Sequence, residues 1–257
     1  MNSRASLIAL STLVRKEAVR IFRIWPQSLL PSVVTVSLYF LIFGQFIGSQ
    51  LRDVDGVPYV QFVVPGLMMM AIITNSFLNV SSSFFGNKFM RSIEELLVSP
   101  TPNWVIILGY ASGGMIRSLI VGGIVLIVSS FFTTIAITNW FIILSFAILT
   151  SLAFSFGGLL NGIFATKFDH ISVVPTFVLT PLTYLGGVFY SIQDLPGVWQ
   201  TISQFNPILY MINGFRYGFF GTSDVNVMLS FILIFSFVVI LGALDVYLLH
   251  KGYGLRS

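Results

Sequence analysis

The chain has 257 residues, of which 56% are hydrophobic and only 9% charged. Soluble domains carry about a quarter charged residues, so this composition cannot coat a globule of this length with water-compatible surface, and a soluble fold is excluded. The formal net charge is +4, and the basic residues sit beside apolar runs, where they set orientation across a bilayer rather than contact nucleic acid. With no cysteine in the chain, disulfides, thiolate chemistry and Cys-based metal sites are excluded as well.

Residues 1–26 read as an amphipathic helix. Val14, Ala18, Ile21 and Trp25 recur at helical spacing on one face, with Lys16, Arg20 and Arg23 on another. A basic helix of this kind lies in the membrane interface, held by anionic headgroups. It serves either as a topology anchor or as a contact for a partner. No short apolar core with a small-residue cleavage site follows, so no removable signal peptide is expected.

A crossing needs about 20 mainly apolar residues. That ruler gives six spans: 27–47, 59–84, 104–132, 135–165, 171–191 and 227–249. The third and fourth are parted by a few polar residues around Thr138 and Asn139, which predicts a tight helical hairpin. The stretch 192–226 is semi-apolar and interrupted by Pro196 and Pro207, as expected of short interfacial or re-entrant helices. The predicted fold is therefore an all-α polytopic membrane protein, a single transmembrane domain with a six-span bundle over 27–249 and a tail at 250–257.

With the N-terminus in the cytoplasm, Arg4, Arg15, Lys16, Arg20, Arg23, Lys88, Arg91, Lys167, Lys251 and Arg256 all lie inside, while Arg52 and Arg216 lie outside. This is the asymmetry expected of short loops. A seventh span would move Lys251 and Arg256 outside and bury Arg216 in lipid, at about 2.5–3.5 kcal/mol on the insertion scale.

The loop 84–102 combines charge with a helical period. Phe85, Phe89, Ile93 and Leu96 form one stripe and Lys88, Arg91 and Glu95 another, and Pro100 and Pro102 end the run. Such a helix is either an ordinary interfacial loop helix or one that docks in a groove of a soluble partner.

Four stretches resemble the permease subunits of type-two ATP-binding-cassette transporters, a family that includes drug, polysaccharide and nodulation-factor exporters. They are V-P-G-L-M-M-M at 64–70, R-S-I-E-E-L-L-V-S-P-T-P at 91–102, P-T-F-V-L-T-P-L-T-Y-L-G-G-V-F-Y at 175–190 and N-P-I-L-Y-M-I-N-G-F-R-Y-G at 206–218. Their order and spacing cover nearly the whole chain. The resemblance implies that 87–98 is the coupling helix seated in a cleft of the ATPase, with Lys88, Arg91, Glu94 and Glu95 as its polar contacts. It further implies an interfacial helix at 7–25, re-entrant extracellular helices at 195–220, and a homodimer with two ATPase copies. The substrate path would run between the first, second and fifth spans. The implied location is the cell inner membrane, with both termini cytoplasmic.

No G-x-x-x-x-G-K-[ST] phosphate loop occurs in the chain, so it is expected to hold no cofactor and to be no enzyme, with ATP and Mg²⁺ bound by the partner. Gly113-Gly114 and Gly122-Gly123 read as helix-packing positions. Arg117, within the third span, either serves function or bonds to neighbouring carbonyls and hydroxyls. Pro175, Pro181, Gly186 and Gly187 mark a hinge or a passive kink in the fifth span. Asp245 is expected to reach the interface or to pair with a basic group. His170 and His250 stand alone, which argues against a metal site. The alternative function is an ion-gradient-driven secondary transporter or channel, but no internal repeat is evident and Asp245 is the one carboxylate within a span.

Overall fold

The computed structural model describes residues 3–47, 53–54 and 56–254; Arg52, Arg256 and the end of the 250–257 tail lie outside them. Among the described residues the regular structure is entirely helical. Five helices are long and apolar enough to cross a membrane.

The first two helices part at a proline. Helix α1 spans Ser3–Arg23 and α2 spans Trp25–Tyr39, with Pro26 in the first turn of α2, where a missing N–H costs nothing. A π-helical stretch, Phe40–Ile47, prolongs α2. Helix α3, Tyr59–Phe89, is the central element, with buried side chains along most of its length. The short α4, Ser92–Val98, follows it, and then comes α5, Asn103–Ser130.

The predicted hairpin around Thr138 and Asn139 is present. Helix α6 starts at Trp140 because Asn139 accepts hydrogen bonds from the N–H groups of Phe141 and Ile142, satisfying donors that a helix start leaves open. It ends at Phe164.

The run expected as the fifth span, 171–191, is not one regular helix. It forms α7, Phe168–Val174, a π-helical turn at Pro175–Leu179, and α8, Thr180–Leu185. Prolines have no N–H to give the ladder. Here Pro175 and Pro181 flank the widened turn, and the Thr180 hydroxyl donates to the Pro175 carbonyl at 3.0 Å. Gly187 then turns the chain with φ of 80°, a conformation that suits glycine.

Two short helices occupy the semi-apolar stretch: α9, Gly197–Gln204, and α10, Pro207–Phe220. Most of α10 is buried, packed among α3, α6 and α11. Asn226 caps α11, Val227–Lys251, through the N–H groups of Met228 and Leu229.

Small residues bring these helices together. A Cβ at Gly158 would collide with the Phe77 carbonyl, and one at Gly114 with Ser155 and Val80. Gly122 meets Ile72 in the same manner, while Gly123 faces open space. In lipid, where apolar side chains gain little by leaving the solvent, such close backbone approach is what helix association rests on.

Candidate functional site

At the α4 end of the bundle, α3 does not run on into the loop helix. Met90 ends it, and Arg91 adopts a left-handed conformation, φ 59°, before α4 begins. This conformation costs a non-glycine residue roughly 1–2 kcal/mol. The turn redirects the chain so that the two expected stripes become discontinuous. Phe85 and Ile93 are buried, whereas Phe89 is 61% exposed. Ile93 anchors α4, and Arg91, Glu94 and Glu95 stay exposed. Met90 and Val98, at 80% and 87% exposure, accompany them, so α4 presents a mixed charged and apolar face outward.

Lys88 points the other way. Its ammonium donates to the carbonyls of Ile163 at 2.7 Å and Ala165 at 2.9 Å, clamping the end of α3 to the end of α6. A cleft of about 550 Å³ lies beside it, lined by Lys88, Arg91, Glu94, Phe164 and Tyr253 among others.

A polar network ties this end to α1, and periodicity alone did not reveal it. The buried residues of α1 are Ser6, Leu13, Glu17 and Ile21; of the expected Val14, Ala18, Ile21 and Trp25, Ile21 is among them, whereas Trp25 is half exposed. The reason lies in α5. Gly109 and Gly113 offer no side chains, so Leu13 packs against Gly109, and Glu17 packs against Gly113. Glu17 is 2% exposed. Its charge is met by Arg20 at 2.8 Å and by the Ser83 hydroxyl at 2.8 Å, while Arg20 also donates to Asn79 at 3.0 Å. Asn87 extends the network. It donates to the Tyr110 hydroxyl at 3.0 Å and accepts from Ser92, the first residue of α4, at 3.1 Å. The signal in the sequence was a lone carboxylate inside a basic helix, with Asn and Ser residues strung along the second span.

Arg117 donates to the Ser28 carbonyl at 3.0 Å, and its Nε is buried without a partner. It lies one turn beyond Gly113, the point where α1 crosses α5, and level with the start of α2. It stands near the middle of α5. Asp245 departs from expectation, for it is fully buried and neither carboxylate oxygen has a hydrogen-bond partner among the described residues. At the opposite end, Arg216 on α10 donates to the Gly187 carbonyl at 2.7 Å and sits 3.8 Å over the Phe62 ring. Gly186 packs against Ile208, so the Gly186-Gly187 pair joins the broken helix to α10.

A bundle of long apolar helices, a short charged helix exposed at one end and a helix interrupted by prolines describe a polytopic membrane protein. The chain belongs to the ABC-2 type transporter family, whose model matches residues 8–220. It is 53% identical over 250 residues to the inner membrane transport permease YadH of Escherichia coli K12, covering 97% of this chain and 98% of that one. It is 26% identical over 208 residues to nodulation protein J of Sinorhizobium fredii, covering 77% of each chain. Nodulation protein J of Rhizobium meliloti is 25% identical over 205 residues, 78% of this chain and 77% of that one.

Proposed function

We propose that the chain is the membrane-embedded subunit of an ATP-driven exporter, working as a homodimer with two copies of a separate ATPase in a bacterial inner membrane. The observation that carries this reading is α4: a short helix anchored by buried Ile93 that turns Arg91, Glu94, Glu95, Met90 and Val98 outward. A helix with one buried anchor and an exposed face of charge and apolar surface is suited to a groove of a soluble partner. Family membership supports an ATPase as that partner, and the similarity to a protein named as an inner membrane permease supports the location.

In this reading the bent segment 168–185 is a sixth crossing. The chain ends and α4 face the cytoplasm, and α9 and α10 re-enter from the far side. The ATPase binds ATP and Mg²⁺. Its closure pushes α4, and Lys88, which holds the α3 end to the α6 end, passes the displacement to both helices. Only a partner that contacts the two packings of the bundle differently can shift their balance. Pro175, Pro181 and the following glycines are the hinge that the movement uses.

The test is reconstitution with the cognate ATPase. Reversing charge at Arg91 and Glu95 together should lower ATP-driven transport by about tenfold, a coupling of order 1–3 kcal/mol, with the amount of permease in the membrane unchanged. Transport that is unaltered by these changes, or that stops when the proton gradient is collapsed at constant ATP, would sink the reading.

A further inference from the structure

Between α2 and α3, roofed on one side by α5, lies a cavity of about 240 Å³. Its lining is sorted by depth. Helix α2 runs away from α1, and α3 runs back toward α4, so residues of equal height pair across the groove. At the α1 end stand Arg117, Ser32, Asn75, Thr35 and Thr74; beyond them lie Val36, Met70, Leu67 and Tyr39. From Leu78 to Leu67 along α3 the groove runs about 16 Å.

The polar end is built around an uncompensated cation. Among the described residues, the one ion pair joins Glu17 to Arg20, so Glu17 is already engaged. Arg20 lies close enough to act on Arg117 electrostatically. Arg117 itself meets only a carbonyl, that of Ser28, and keeps a buried Nε unpartnered. Pro31, one turn further along α2, withdraws the N–H that would occupy the carbonyl next to Ser28. Asn75 and Ser32, which line the same cavity as Arg117, bond to each other across the groove at 3.3 Å, and the Asn75 amide also donates to the Ala71 carbonyl at 2.9 Å, so Arg117 is the charged group that this lining leaves for an anion.

We propose that this groove binds the anionic head of an amphiphile, a carboxylate or phosphate monoester, with its alkyl tail laid along Val36, Met70, Leu67 and Tyr39. A planar guanidinium recognises such oxyanions with paired, charge-assisted hydrogen bonds. The role in transport rests on the orientation proposed above, which turns the charged end of the groove toward the cytoplasmic leaflet. An amphiphile in that leaflet already has its head and tail in the order of the groove. Arg117 is then a loading contact for cargo, and the cargo class is anionic and single-tailed rather than neutral or sugar-only.

The probe is 11-(dansylamino)undecanoic acid, set against its methyl ester, with the purified full-length permease in phosphatidylcholine nanodiscs. The acid should bind saturably and the ester about tenfold or more weakly. Arg117→Gln should erase that difference by weakening the acid alone, and Arg117→Lys, which keeps the charge but not the paired hydrogen bonds, should retain part of it. A diazirine-tagged fatty acid on unaltered protein should label α2 and α3 at Thr35, Met70 or Thr74, a readout that needs no variant to fold. Adding lysophosphatidic acid, a single-tailed phosphate monoester of the bilayer, separates two sources of the same chemistry. Competition assigns the groove to bilayer lipid, and its absence assigns it to amphiphiles from outside the lipid pool. Equal binding of acid and ester, or labelling confined to other helices, overturns the site. Because no ATPase is present, a failure here leaves the coupling experiment standing, and a failure of coupling leaves this binding result intact.

Discussion

Glu17 is buried inside the bundle among neighbours arranged to meet a carboxylate. Two glycines of α5 make room, Arg20 supplies the opposite charge, and Ser83 donates a hydrogen bond. Removing one member of a buried pair leaves the other stranded. Glu17→Ala should therefore cost about 2–3 kcal/mol, visible as a lower midpoint of thermal inactivation in detergent. Glu17→Gln, which still accepts from Ser83, should lose less. Gly158 makes the complementary case, since any side chain there meets the Phe77 backbone. Backbone cannot rotate out of the way, so Gly158→Val should destabilise by about 1–3 kcal/mol or more and reduce the folded yield. A yield equal to that of the parent chain would show that α3 and α6 separate more freely than their contact suggests.

At the scale of elements, the segment 168–185 shows how two prolines convert a regular helix into a bent one. Pro175 and Pro181 flank the π-helical turn, and Gly187 finishes it with a positive φ. Replacing Pro181 by Ala restores an N–H to the ladder. We expect this variant to be folded at least as well as the parent while ATP-driven transport falls several-fold, as befits a hinge stiffened by one hydrogen bond of about 1 kcal/mol. Unchanged transport with improved stability would mark the bend as passive. The α3–α4 junction follows similar logic. Arg91 holds the left-handed turn, so Arg91→Gly relieves backbone strain while deleting a charge. Its coupling should fall less than in the double charge reversal, because the direction of α4 is kept.

For the molecule as a whole, the absence of cysteine permits single-cysteine mapping without background. In the proposed topology, Ser99→Cys reacts with a membrane-impermeant maleimide only from the cytoplasmic side and Thr222→Cys only from the other. Labelling of both from one side would require an even number of crossings between them, and if that side were the outer one it would remove α4 from the ATPase. The outer faces of α2 and α11 are rich in exposed apolar residues, such as Leu30, Val34 and Leu38 on α2 and Ile232, Phe235 and Val239 on α11. Exposed apolar faces of this extent mark contact with a membrane or with another protein.

Composition, run length and the prolines were enough to read a helical membrane protein, the hairpin at Asn139 and the loop helix between the second and third long helices, because bilayer thickness and backbone hydrogen bonding act on the chain locally. The family resemblance was legible for the same reason, since its motifs are contiguous. The buried face of α1 was not, for a period of apolar residues ignores a groove that two glycines cut in another helix. Nor could spacing tell that Lys88 turns inward while Arg91 turns out, or that Arg117 meets Ser28 at the rim of a cavity. Those outcomes depend on which helices lie side by side and at what height, and in lipid that is settled by close packing and by the partners that buried polar groups find, which only the tertiary structure decides.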